Sequence, residues 1–305
     1  MMIQNFRGRV AKTLAAILTL TMVQFLPSAN WMSAANAGVA NPGLNSADAT
    51  FVAGSYIIDA GAQTGTAKQT VAQGLKPYGL IYALVKANIP VQWVIEHDKA
   101  PISQTLGNAG PDFSFDCTGS GKKNYKSGAF VIAPEYAAQA ASIVTTWRGK
   151  GVVVDGPCTS ATDALPVYAT IKSWPRVALD AQNGSVAVKY FQNAEIPELD
   201  ANGLATYRFV APSALTPCDD IYVMPHADPT YATHKNLINF VKAGGDFYAS
   251  CHAVSIVENM TDGVTTSKKV MNFLSTNGLV NYDSHVQGSP AYTIYETSTA
   301  GSTYT

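Results

Sequence analysis

Short apolar runs bounded by breakers alternate with amphipathic stretches along most of the chain. Ile221 to Met224 is one such run, ended by Pro225, and Phe247 to Ala249 is another; both read as buried strands of a parallel sheet. Between them Leu237, Phe240 and Val241 recur at the i, i+3, i+4 spacing of one helical face, and Gly244 and Gly245 can take the positive φ that stops a helix. A helix of that length between two buried strands makes a βαβ crossover. The same alternation runs upstream, with strands expected over Ser55 to Asp59, Val91 to Ile95, Ala129 to Ala133, Val152 to Asp155, Arg176 to Asp180 and Tyr207 to Val210. Helices are expected around Tyr78 to Asn88, Ala137 to Trp147 and Val186 to Asn193. Between Asp98 and Ser127 the chain turns polar and Gly-rich, as in a surface excursion or β-ribbon. Beyond Ser255, a short helix (256–260), a second helix (267–275) and an edge strand within 281–294 continue the pattern. The expected class is α/β, with a doubly wound, mostly parallel sheet.

The two halves of this pattern look alike. Phe130-Val131-Ile132 corresponds to Tyr222-Val223-Met224, and Trp147-Arg148-Gly149-Lys150-Gly151 to Val241-Lys242-Ala243-Gly244-Gly245. Val131 precedes Cys158 by about 27 residues and Val223 precedes Cys251 by about 28, the near-constant period of a repeat. An internal duplication of βαβ halves is one reading; the other is that any two α/β units look alike at this level. The expected divisions are a signal segment (1–37), a flexible leader (38–50), an N-terminal α/β half (51–160), a second α/β half (161–294) and a Ser/Thr-rich tail (295–305).

The leading segment changes the compartment. Arg7, Arg9 and Lys12 precede the apolar run Leu14 to Leu26, and Ala35-Asn36-Ala37 is a small-x-small cleavage site. The apolar run is shorter than a bilayer span and contains Thr19, Thr21 and Gln24, so export with cleavage near Ala37 is expected. The mature chain is then periplasmic, extracellular or at the cell surface, with no membrane span. Formal charge is −1 and charged residues are 13%, which gives no electrostatic reason to expect nucleic acid as a partner. A small-molecule or peptide ligand is expected instead. Four cysteines in an exported chain allow three connectivities. Cys218 precedes a strand and Cys251 follows its parallel neighbour. A strand separates those edges by roughly 15 Å, beyond the ~7 Å a disulfide spans. Cys117 with Cys158 is the preferred pair.

Candidate chemistry gathers where the two best strands end. His226 and Asp228 follow the first, and Cys251 and His252 follow the second, at the sheet edge where ligands of open α/β sheets collect. Ala249-Ser250-Cys251-His252-Ala253 places small residues two before and two after the cysteine, as a nucleophile on a sharp strand-to-helix turn requires. A helix N-terminus and a neighbouring imidazole both favour a thiolate, and the same N–H groups can hold an oxyanion.

On these residues (the Asp220-Ile221-Tyr222-Val223-Met224-Pro225 strand, the helix ending at Gly244-Gly245 and the Ala-x-Cys-His-Ala elbow at 249–253) the chain resembles the PfpI-type and class I glutamine amidotransferase-like superfamily. The likeness covers residues 176–260 best; the first half matches only as a degenerate copy. The resemblance implies a flavodoxin-like fold, a nucleophilic Cys251 assisted by His252, and an acid orienting the imidazole, for which Asp180 and Asp228 are candidates. The implied activity is hydrolysis or transfer at an amide or ester, with no cofactor.

The departures support other readings. Pro225-His226-Ala227-Asp228 stands where the family commonly has Pro-Gly-Gly, and only His285-Val286-Gln287 stands for the amidotransferase branch's downstream His-x-Glu. An exported thiol enzyme must also keep Cys251 reduced or protected. His226, Asp228, His234 and His252 can all approach one sheet edge, and the set His226, Asp228 and His252 suits zinc. The remaining reading is a non-catalytic surface scaffold: His226 and Asp228 cap the helix near Thr233, and Cys251 is a small apolar residue.

Overall fold

A computed structural model describes residues 48–61, 73–96, 111–160, 162–264, 269–271 and 273, all within one compact unit, Asn45–Thr305. The expected signal segment, the second helix near 267–275, the edge strand carrying His285 and the tail lie wholly or mostly outside these residues.

The expectation of one flavodoxin-like, mostly parallel sheet is overturned. The described residues form two separate main sheets, and the larger is antiparallel and curled. Its six strands are β1 (Asp48–Val52), β2 (Tyr56–Ile58), β3 (Val91–Val94), β6 (Phe130–Ile132), β7 (Val154–Asp155) and β8 (Thr162–Ile171), in the order β1-β8-β3-β6-β2-β7. A two-stranded ribbon, β4 (Phe113–Phe115) with β5 (Lys123–Tyr125), lies within the stretch expected as an excursion. Every pairing in the large sheet is antiparallel. Helix α1 (Lys76–Lys86) joins β2 to β3, which run the same way, but antiparallel β6 lies between them. Helix α2 (Ala137–Gly149) likewise joins β6 to β7 across β2. Strand, helix, strand is therefore a correct local reading with wrong neighbours. Apolar periodicity specifies that a strand is buried on both faces, not which strand lies beside it.

Both faces of this sheet are covered, and the alternation is strict. Tyr56, Ile58, Phe130 and Ile132 face the helices, where Leu80, Leu84, Val85, Val144 and Trp147 pack on them. Ile57 and Val131 face the ribbon side, among Phe113, Phe115, Tyr125 and Cys158. Each fully buried aliphatic side chain here contributes about 1.5–3 kcal/mol. On that second face Cys117 and Cys158 form a disulfide with Cα atoms 4.5 Å apart, and Cys218 and Cys251 are free and exposed.

The smaller sheet is parallel: β9 (Val177–Leu179), β10 (Tyr207–Phe209), β11 (Ile221–Pro225) and β12 (Asp246–Ser250), in the order β10-β9-β11-β12. Its helices are α3 (Ser185–Asn193), α4 (Tyr231–His234), α5 (Asn236–Lys242) and α6 (His252–Asn259). One sheet being parallel and the other antiparallel, the duplication of βαβ halves is not supported. β8 pairs with β1 and β3, so the larger sheet extends to Ile171, and the smaller begins at Val177. At its other end, β1 takes up Asp48 to Thr50 of the expected leader.

Helix stops set where the strands begin. α5 ends with Gly244 N–H bonded to Val241 O and Gly245 N–H to Phe240 O, with Gly244 at φ +95°, the paired hydrogen bonds of a Schellman turn. α3 ends the same way through Glu195, at φ +57°. Its carboxylate meets Lys76 at 3.1 Å and Lys150 at 2.7 Å, tying the turn to the helices of the larger sheet. Tyr82, Ala194 and Ile196, with Trp174 against them, form the apolar contact beneath these ion pairs.

Candidate functional site

The site is built by register. β11 and β12 run parallel with Met224 opposite Ala249 and Pro225 opposite Ser250, so the next residues, His226 and Cys251, leave the sheet side by side. The N–H of His226 donates to Ser250 O at 3.1 Å, which carries the ladder one step past the last pair. Both residues then take a left-handed backbone, φ +48° at His226 and φ +59°, ψ −143° at Cys251. Side chains with a β-carbon rarely adopt this region, and holding one there costs about 1–3 kcal/mol. Cys251 is also the residue before α6, so the first-turn N–H groups of that helix lie on its side.

These turns aim the side chains at one another. His226 Nδ1 lies 3.2 Å from Cys251 Sγ, and His252 Nδ1 lies 3.8 Å from the same sulfur. The two imidazole rings meet edge to face with centroids 4.3 Å apart. Behind His252, Asp228 Oδ1 is 3.0 Å from Nε2. The His252 side chain is 10% exposed and that of Asp228 is 80% exposed, so the acid approaches a nearly buried imidazole from solvent. With the ring proton on Nε2, facing Asp228, Nδ1 presents its lone pair toward the sulfur.

The loop after β9 holds the His226–Asp228 loop in place. Asp228 N–H donates to Gln182 Oε1 at 2.7 Å, Gln182 Nε2 donates to Asp228 O at 3.3 Å, and Asn183 Nδ2 donates to His226 O. This is the crevice between β9 and β11, from which β9 leads to β10 on one side and β11 to β12 on the other, the reversal at which open parallel sheets gather ligands. It also occupies donors: the N–H groups of His226 and Asp228 are both spent, so an oxyanion must look to the first turn of α6 instead.

The structure places His226, Asp228, Cys251 and His252 together at the ends of β11 and β12. Asp180 and His234 do not join them. They are buried, with His234 Nε2 3.0 Å from Asp180 Oδ2, and Tyr222 donating its hydroxyl to that same oxygen at 2.6 Å. Burial would raise the Asp180 carboxyl, but hydrogen bonds from His234, Tyr222 and the Gln182 N–H outweigh it and hold the group below the usual carboxylate range. Burial, with the hydrogen bond to Asp180 after it, pushes the Tyr222 hydroxyl up. Of the two candidate orienting acids, Asp228 is the one in reach of His252. The zinc set changes as well: the ligand atoms brought together are those of His226, Cys251 and His252, all within 4.8 Å of one another, with Asp228 behind.

Two features escape the sequence reading. It gives His226 roles as a ligand or metal contact and as a helix cap, not as the partner of the thiol, yet this is the imidazole nearest the sulfur. Gln182 and Asn183 are invisible to it because a polar pair after a strand carries no signal of partners 43 and 46 residues away. No family model matches the chain, and no curated protein or solved structure matches it either, so the reading of this site rests on its geometry.

Proposed function

We propose that this is an exported thiol-dependent hydrolase or acyltransferase acting at an amide or ester, with Cys251 as nucleophile, and that its likeness to the PfpI-type superfamily is confined to the parallel half. What carries the reading is the sulfur held between two imidazole nitrogens, 3.2 Å from His226 and 3.8 Å from His252, on a strand-to-helix turn with left-handed backbone. His226, the nearer, takes the thiol proton. His252, oriented by Asp228, supports the thiolate from the other side. The sulfur attacks a carbonyl carbon, the leaving group collects the proton from His226, and water then cleaves the thioester so formed. Among the described residues no helix is long and apolar enough to cross a membrane.

An activated acyl ester such as p-nitrophenyl acetate tests this. The proposal expects a burst of nitrophenol with an acetyl group recovered on Cys251 by peptide mass spectrometry. Cys251→Ser should abolish the burst and His226→Ala should slow it more than His252→Ala. Hydrolysis that persists in Cys251→Ser, or acetylation recovered elsewhere, would remove Cys251 from the nucleophile's role.

A further inference from the structure

We infer that the same three side chains bind one zinc-class divalent cation, through His226 Nδ1, Cys251 Sγ and His252 Nδ1, and that this ion masks the thiol until it is displaced. A tetrahedral ion with bonds of about 2.3 Å to sulfur and about 2.05 Å to nitrogen separates those ligand atoms by about 3.6 Å. The two sulfur–nitrogen separations present, 3.2 and 3.8 Å, lie on either side of that value. One ligand atom from each of the three side chains falls within 4.8 Å of the other two, within reach of closure by side-chain rotation.

The surroundings fit an ion rather than a simple hydrogen-bonded trio. Asp228 Oδ1 sits 3.0 Å from His252 Nε2, the nitrogen turned away from the sulfur. A carboxylate at ion-pair distance from the distal nitrogen favours the tautomer whose Nδ1 lone pair can ligate, and a carboxylate is the usual second partner of a metal-bound histidine. One thiolate with two neutral imidazoles is a borderline-soft donor set, which suits zinc and disfavours magnesium or calcium. Cys251 and His226 are exposed, so the ion has a path in and a fourth position for water. On binding, the thiol proton leaves to solvent and a sulfur–metal bond replaces the sulfur–hydrogen bond. The device answers a chemical difficulty: a reactive thiol outside the cytoplasm is prone to oxidation, and a ligated thiolate is shielded. The masking rests on the nucleophile reading above; the binding does not.

Cobalt and zinc are the probes, applied to the intact chain in a Cys218→Ser background so that Cys251 is the only free thiol. The inference expects one Co²⁺ per chain with a thiolate-to-cobalt charge-transfer band, lost in Cys251→Ser and in His226→Ala. Asp228→Asn, which keeps all three ligands, should weaken binding about 10–100-fold. Zinc should slow iodoacetamide labelling of Cys251 in proportion to occupancy, about tenfold at ten times the dissociation constant, and a chelator should restore it. Absence of the charge-transfer band, labelling indifferent to millimolar zinc, or binding that survives Cys251→Ser would each overturn the assignment. A chain that binds cobalt this way but never forms an acetyl-enzyme would retain the metal site and lose only the hydrolase.

Discussion

The strained backbone at Cys251 makes a prediction about stability whose sign is unusual. Cys251→Ala keeps a β-carbon at φ +59°, ψ −143°, whereas Cys251→Gly removes the clash that makes this region costly. Relief is worth about 1–3 kcal/mol. Against it, glycine loses about 0.5–1 kcal/mol relative to alanine through the greater freedom of the unfolded chain. The net expectation is that the glycine variant is more stable than the alanine variant by about 0–2.5 kcal/mol, with the side chain's own packing cancelling between the two. Cys251 is exposed, so neither variant opens a core cavity. Urea midpoints measured side by side, with the Cys117–Cys158 disulfide kept oxidised, read the difference directly. At an unstrained position the order reverses, and alanine wins by about 0.5–1 kcal/mol. That reversed order would mean the chain does not hold Cys251 in the left-handed turn, and the argument that the turn lifts the sulfur toward two imidazoles would fall with it.

Three further outcomes follow from the packing around the site. Asp180→Asn should cost about 1.5–3 kcal/mol at neutral pH, the worth of hydrogen bonds to a charged group. Because the folded-state carboxyl is held low, its contribution is present above the ordinary carboxylate pKa and is lost as pH falls through the lowered one, so wild type and variant should converge in acid denaturation. Gly79→Ala should be strongly destabilising by thermal melt, since a β-carbon there meets Ala194 O at 1.8 Å and the Trp147 ring at 2.4 Å, where α1 crosses the turn after α3. Replacing Cys117 and Cys158 together by alanine opens a loop of 41 residues and should cost about 4 kcal/mol on chain-entropy grounds, read as a lowered urea midpoint.

The parts of the molecule readable from sequence are those whose signal is local. Pro225, the i, i+3, i+4 face of Leu237, Phe240 and Val241, and the Gly244-Gly245 stop locate β11, α5 and β12 closely, and with them the edge bearing His226 and Cys251. The large sheet is misjudged for a non-local reason: the pattern makes β2 and β3 neighbours, but β6, which comes after both in the chain, is inserted between them. β8 escapes notice although Leu165, Val167, Ala169 and Ile171 alternate, because Pro166 argues against a central strand. The fold accommodates that proline opposite Asp48, the first residue of β1, and beside a register shift in β3, where its carbonyl still accepts from Ile95 N–H at 3.1 Å. His234 and Asp180 look like site residues because histidine and aspartate near a strand end resemble a ligand set. Only burial distinguishes a structural pair from a reactive one.

A reactive site at the paired strand ends requires Cys251 to be a thiol set apart from an ordinary exposed one, and the molecule carries its own reference in Cys218, which is also free and exposed but lies before β11 rather than after β12. Competitive iodoacetamide labelling of metal-free protein at neutral pH, resolved by peptide mass spectrometry, compares the two within one chain. The prediction is faster modification at Cys251 than at Cys218, with the advantage lost in His226→Ala and Cys218 unchanged. Equal rates at the two cysteines, or an advantage that His226→Ala leaves intact, would contradict the claim that the paired strand ends assemble a reactive site.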